Sequence, residues 1–382
     1  MPQHSLPPYP IVKPGCLTGR RLVRYRAGMM TTHERMRRIL QHREADRVPI
    51  TDSPWAATLD RWHKEGLPVN VDWADYFDLD RYASFGVNNS PRYPEQTLED
   101  TADYRIQTNS WGATLKNWKH HGGVPEFLNF TVNNADAWHA AKQRIAPTHD
   151  RVDIERLRRD IPKWRAEGRW ITAGLWFGFD VTHSWMVGTE TVLMALAEDP
   201  DWIVDMWNTQ LSTQLALLDW VWEQGLHFDA IGWPDDLGYK GHQFFSLPMY
   251  RELLKPVHRR AGEWAQAHGV VVSLHSCGDV RPFIPDFIEI GIQILNPIEV
   301  KAGMNPVELK RQYGHQLTLH GGLNAALFWE PEKLTAHMRE VIPAMKHGGG
   351  YISSSDHSVP DSVSLEQFRQ FVTLAKELGS YG

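Results

Sequence analysis

The sequence predicts an α/β barrel on three observations. From residue 151 onward, short apolar runs alternate with amphipathic stretches at intervals that suit βαβ units and a parallel sheet. Run after run ends in polar or aromatic residues, which a parallel barrel gathers at its carboxyl rim, where barrels place their chemistry. The 382 residues suffice for one large (β/α)8 TIM barrel with a long N-terminal insertion. A doubly wound open sheet is the alternative architecture.

Residues 1–29 carry five prolines, five Lys or Arg and no acid, without helical or strand period. They read as an extended, flexible N-terminal arm with no secretory apolar core, free or laid across a partner subunit in a homodimer. Residues 30–382 read as a single barrel domain. Thr32-His33-Glu34-Arg35 opens a helix through Leu40, and Asp46-Arg47 leads into a first strand at Val48-Pro49-Ile50. From about 52 to 147 the pattern is irregular, with a short helical piece at 73–80 and strand-like pieces at 104–107 and 113–116. This segment is expected to be an insertion folded over the first strand, carrying lid or binding function.

The regular part begins with a helix over 154–167 and a strand over 170–175 that ends in Trp176 and Phe177. Helices over 189–199 and 200–224 precede the strand 229–232 and the pair Asp235-Asp236. A helix over 249–268 feeds Val270-Val271-Val272-Ser273-Leu274-His275-Ser276-Cys277. Strands then follow at 292–296, ending near Glu299, at 317–322, carrying His320 with Asn324 beyond, and at 350–353, ending in Asp356-His357. Helices at 282–290, 306–313, 331–345 and 365–377 separate or follow them. Seven strands are visible, with an eighth expected between Phe177 and Asp229 or inside the irregular segment.

A net charge of −6 leaves no electrostatic footprint for nucleic acid, and no apolar run approaches a membrane span. Two cysteines, Cys16 and Cys277, are too few for a disulfide framework and fit a cytoplasmic protein. The 17 Trp are mostly packing residues, but a few at a rim would hold a flat or apolar small-molecule substrate.

Residues two apart on a strand face the same way, about 7 Å apart at Cα. His275 and Cys277 therefore sit at a spacing that two ligands of one metal ion use, and imidazole with thiolate suits Zn²⁺ better than a hard cation. A hydrogen-bonded His beside an inert Cys is the plainer reading of that pair. The third ligand is open among His357, Asp356 and, behind them, Glu299. Asp236, His320 and Asn296 are the candidate catalytic groups, Asp236 being preferred to Asp235 because adjacent carboxylates point different ways. Trp55, Trp176, Phe177, Asp235 and Asn324 are the candidate substrate-binding residues.

Glu34-Arg35 with Asp46-Arg47-Val48-Pro49, Asp235-Asp236, His275-Ser276-Cys277-Gly278-Asp279, Asn296-Pro297, Gly321-Gly322-Leu323-Asn324, and Gly349-Gly350-Tyr351-Ile352 followed by His357 together resemble the uroporphyrinogen decarboxylase superfamily. The resemblance runs from about residue 32 to the end. True decarboxylases of porphyrinogens carry an arginine-rich signature after the first strand. Here that stretch is Asp52-Ser53-Pro54-Trp55-Ala56-Ala57-Thr58, with no arginine until Arg61, too little positive charge for a polycarboxylate. The resemblance is closer to the cobalamin-linked methyltransferase branch, whose His-x-Cys pair and a distant Cys bind zinc that activates a thiol. His275 and Cys277 match the pair. The distant cysteine is absent, and Asp356 or His357 stands near its place. The resemblance implies a zinc-dependent methyltransferase whose corrinoid arrives on a separate carrier protein. The alternative is a metal-free decarboxylase of a small or aromatic acid, with Asp236 or Asp52 as proton donor and His357 assisting. A non-catalytic binder on the same scaffold is the third.

Overall fold

The computed structural model describes residues 29–120 and 125–382. Almost all of the expected arm, including Cys16, lies outside them. Seven parallel strands form one sheet in chain order: Tyr82–Gly86, Trp170–Gly174, Ala230–Pro234, Val271–His275, Ile294–Ile298, Thr318–Gly321 and Tyr351–Ile352. The sheet curls. The first residue of each of the first five strands, with the second residue of the last, brings Tyr82, Trp170, Ala230, Val271, Ile294 and Ile352 into one interior cluster, into which helix Thr32–Leu40 sets Met36 and Leu40. Such a layer, built from side chains of successive strands, fills the inside of a TIM-like barrel.

Segment 48–51 bridges the two edges. Ile50 pairs in parallel with Ser353, and its carbonyl accepts the Asp80 N–H at 3.0 Å just ahead of the first strand. A buried ionic clasp holds this seam. The Asp80 side chain, fully buried, takes Arg35 and Arg47 and the Ile50 N–H, while Arg35 also grips Asp46 at 2.7 Å. Burial pushes the Asp80 carboxyl up, and the two guanidiniums more than reverse it, leaving it below the ordinary range. The Glu34-Arg35 and Asp46-Arg47 pairs thus do structural work far from the rim. Glu34 closes a capping box with Thr31 at the start of the first helix.

The further strand lies in one of the two places expected for it. Residues 189–223 supply two helices, Thr189–Glu198 and Asp201–Glu223, and the irregular segment supplies Tyr82–Gly86, a full member of the sheet paired to Trp170–Gly174. What leaves the sheet is a four-stranded antiparallel unit, Thr97–Asp100, Tyr104–Thr108, Ala113–Trp118 and Glu126–Phe130. Its Phe127 and Phe130 stack together, and Phe127 meets Trp185, which in turn meets Trp176 at a strand end. Among the described residues no helix is long and apolar enough to cross a membrane.

Candidate metal centre

Parallel strands deliver their carboxyl ends to one rim, and the register there places Pro234, His275 and Asn296 side by side. Two loops leave this point in contact along their main chains. Asp235 N–H donates to the His275 carbonyl at 2.7 Å, Leu237 N–H to Ser276 Oγ at 3.1 Å, and Asp279 N–H to the Tyr239 carbonyl at 3.2 Å. The approach demands glycine on both sides: Gly278 has φ +83°, and a Cβ there would stand 2.1 Å from the carbonyl carbon of Gly238.

The zipped loops bring together Asp236, His275 and Cys277, whose ligand atoms all lie within 4.8 Å of one another. Cys277 Sγ is 3.4 Å from His275 Nε2, Asp236 Oδ1 is 3.8 Å from the same nitrogen, and Asp236 Oδ1 accepts the Cys277 N–H at 2.8 Å. His275 Nδ1 donates to Asn296 Oδ1 at 2.7 Å, and Asn296 Nδ2 faces the His320 carbonyl at 3.4 Å. That arrangement leaves Nε2 as the lone-pair nitrogen turned to the other two donors.

Burial pushes the Asp236 carboxyl well above the usual range, helped by the charges of Asp180, Asp235 and Glu299. It pushes the Cys277 thiol up in the same way, with Asp236 and Glu299 adding to it. It lowers His275, against the Asn296 hydrogen bond, and lowers His320 to about 3, with His275 contributing. Burial thus works against the charged form of each of the three donors. A divalent ion would displace their protons, so sulfur, nitrogen and oxygen donors converging in a place that disfavours bare anions fit Zn²⁺.

The group that stands closest to the pair is not one of the three expected as third ligand. Among the described residues the only three-donor group is completed by Asp236. Glu299 accepts the Gly278 N–H at 2.6 Å and pairs with Lys301 at 3.2 Å. Asp356 is buried and accepts the Val300 and Ala325 N–H groups at 2.8 Å each, tying two rim loops together. His357 sets its ring edge-on to Trp55, 6.3 Å between centroids.

The substrate-binding set divides too. Trp55 and Trp176 stand half-buried at strand ends. Phe177 is fully buried between Trp233 and His258, so it is core. Asn324 caps the 3-10 turn Ala325–Trp329 by accepting the Ala326 N–H. Asp235 is fully buried against His258, Nε2 to Oδ2 2.7 Å, and accepts the Asp180 N–H at 2.8 Å. It serves the protein from beneath the rim. Asn296, expected as catalytic, spends its amide on orienting His275.

The sequence reading missed Asp180 and His258. Asp180 stands beyond Trp176-Phe177, where Gly178 at φ +98° turns the chain, and that glycine was the available signal. His258 is near the start of helix Lys255–His268, with no local mark.

Residues 173–378, over half of the chain, match the family described as Uroporphyrinogen decarboxylase (URO-D). Among solved structures, a methyltransferase from Methanosarcina mazei superposes with a TM-score of 0.60 at 17% identity, covering 91% of this chain and 99% of that one. No curated protein matches. The family match spans the strands that carry Asp236, His275, Cys277 and Asn296, and the shared fold extends to nearly the whole chain. On those grounds the chain belongs to the uroporphyrinogen decarboxylase family.

Proposed function

We propose that this chain is a methyltransferase of its family, holding zinc on Asp236, His275 and Cys277 and exchanging a methyl group with a corrinoid borne by a separate protein. The convergence of those three donor atoms within 4.8 Å carries the reading. The methyltransferase fold neighbour is in keeping with it. On this reading segment 48–51 counts as the eighth strand of a closed (β/α)8 barrel. When bound, zinc supplies Lewis acidity that lowers the pKa of a thiol or polarises an ether oxygen near neutral pH. The chain's own residues do the rest. Asn296 holds the His275 ring, the paired loops fix Asp236 against Cys277, and Trp55 and Trp176 offer aromatic surface to a substrate. His320, neutral by burial, is an acceptor and not a proton donor at pH 7.

Elemental analysis of protein purified without chelators or affinity metals tests this directly. One zinc per chain is expected, lost in both His275→Ala and Cys277→Ala while the circular dichroism stays that of the parent. A second reading, a metal-free decarboxylase, has one observation in its favour. Asp52 at the rim is pushed up to about 6 by burial, close to what a proton donor at neutral pH requires. Substoichiometric zinc that titration cannot restore, with activity surviving Cys277→Ala, would select that reading.

A further inference from the structure

Behind the donor triad lies a chain of largely buried polar contacts. Tyr250 Oη meets His258 Nδ1 at 3.3 Å, and His258 Nε2 meets Asp235 Oδ2 at 2.7 Å, with both side chains of the second pair 0% exposed. Asp235 Oδ1 accepts the Asp180 N–H at 2.8 Å. The approach of that turn needs Gly178, whose missing Cβ would fall 2.3 Å from Asp235 Oδ2. Asp180 itself is 5% exposed. Its Oδ1 takes Ser184 Oγ at 3.2 Å and lies 3.5 Å from His183 Nε2, at the start of the π-helical turn Thr182–Met186. Irregular turns of this kind recur at functional sites.

A fully buried polar pair is weak support for a fold, since apolar residues of the same volume would often stabilise as well or better. Asp235 nevertheless touches every part of the centre. It precedes Asp236 in the chain, its N–H binds the His275 carbonyl, and its carboxylate holds the turn that bears Asp180. We infer that Asp235 and His258 are positioning residues: His258 fixes the Asp235 carboxylate, that carboxylate also pins the 178–180 turn, and Asp235, held at both places, sets where its neighbour Asp236 and the His275 main chain stand at the rim. This rests on the metal reading given above and adds to it a support that lies outside the three donors.

Cobalt(II) titration of the metal-free full chain, followed by visible absorption with thermal melts in parallel, is the test. His258→Leu and Gly178→Ala should each weaken Co²⁺ binding about 10–100-fold, the usual cost of losing an outer partner of a metal ligand, and should change the ligand-field bands. His258→Gln keeps an N–H for Asp235 and should stay within about threefold of the parent. A merely structural pair would move the melting temperature of these variants and leave affinity and spectrum alone, which would overturn the inference. Should His258→Leu fail to fold, Gly178→Ala decides, because it displaces the Asp235 carboxylate with His258 and Asp235 both still present. If the parent takes up neither Co²⁺ nor Zn²⁺, the metal reading falls and this inference with it. If the parent binds and all variants bind equally, only the inference falls.

Discussion

At the level of single residues, Asp52 offers a measurement independent of any substrate. Its carboxylate accepts Ser355 Oγ at 2.7 Å and the Ser355 and Ser53 N–H groups at 3.1 and 2.9 Å, yet burial outweighs them and lifts it from 3.8 to about 6. Below the lower value the folded and unfolded chains are both protonated. Between the two, the folded chain holds the extra proton, so stability falls as pH rises through this window and the loss is complete above 6. Asp52→Asn should remove that slope. Urea midpoints at pH 4 and pH 7 should show the parent losing about 1–3 kcal/mol more than the variant across the interval, allowing ~1.4 kcal/mol per pH unit between the midpoints and some solvent screening. An identical pH dependence in the two proteins would rule the assignment out. The proposed metal donors mark how far a residue's identity and spacing speak for it. His275 and Cys277 are legible in the sequence because residues two apart at a strand end tend to one side; the strand itself stops at His275, and the loop beyond it still brings Cys277 Sγ to 3.4 Å from His275 Nε2. Their partner Asp236 is legible as a group for chemistry but not as a ligand, since two adjacent carboxylates look alike until the loop directs one to the rim and the other into the core.

Among the elements, the joined loops and the seam clasp make separate demands. Gly278→Ala forces a side chain into φ +83° and against the Gly238 main chain, so the loops must part and Asp236 must leave Cys277. Zinc affinity should fall at least about tenfold in isothermal titration, with the melting temperature lowered by a few degrees. Asp80→Ala leaves the Arg47 guanidinium, and one arm of Arg35, buried without a counter-charge. The expected cost is about 3 kcal/mol in urea unfolding, with metal stoichiometry unchanged in the protein that remains folded. Element by element, most helices and the β-branched strands can be read from periodicity. Tyr82-Ala83-Ser84-Phe85-Gly86 cannot, because it has no β-branched residue and ends in glycine. Its place is set by pairing with Trp170–Gly174, a contact invisible at short range.

Over the whole molecule, charge decides which ligands the rim will accept. Asp52, Asp180, Asp235, Asp236, Glu299 and Asp356 all follow strands of the curled sheet or its bridging segment 48–51, and two basic groups on the same loops, Lys301 and Arg281, are already paired with Glu299 and Asp279. A porphyrinogen bearing many carboxylates would meet acids that offer it no counter-charge, and the Arg281 guanidinium is already taken. Incubation with uroporphyrinogen should give no carbon dioxide, and uroporphyrin should fail to quench tryptophan fluorescence at micromolar concentration. Turnover of that substrate would show that the rim's charge is compensated in a way the fold does not display.

The seam at segment 48–51 has a consequence for how the chain is made. Ile50 pairs with Ser353, the Val48 N–H with the Gly379 carbonyl at 2.9 Å, and Arg47 with Ser380. On a ribosome adding 5–20 residues per second, roughly 15–60 s pass between synthesis of the first partner and of the last. Throughout that interval an apolar segment has hydrogen-bonding groups whose proper partners do not yet exist, which is the condition that invites pairing with a neighbouring nascent chain. The same circumstance makes the final thirty or so residues a latch: a message cut short before them yields a protein with nearly every helix and strand, an open flank, and a fate decided by chaperones.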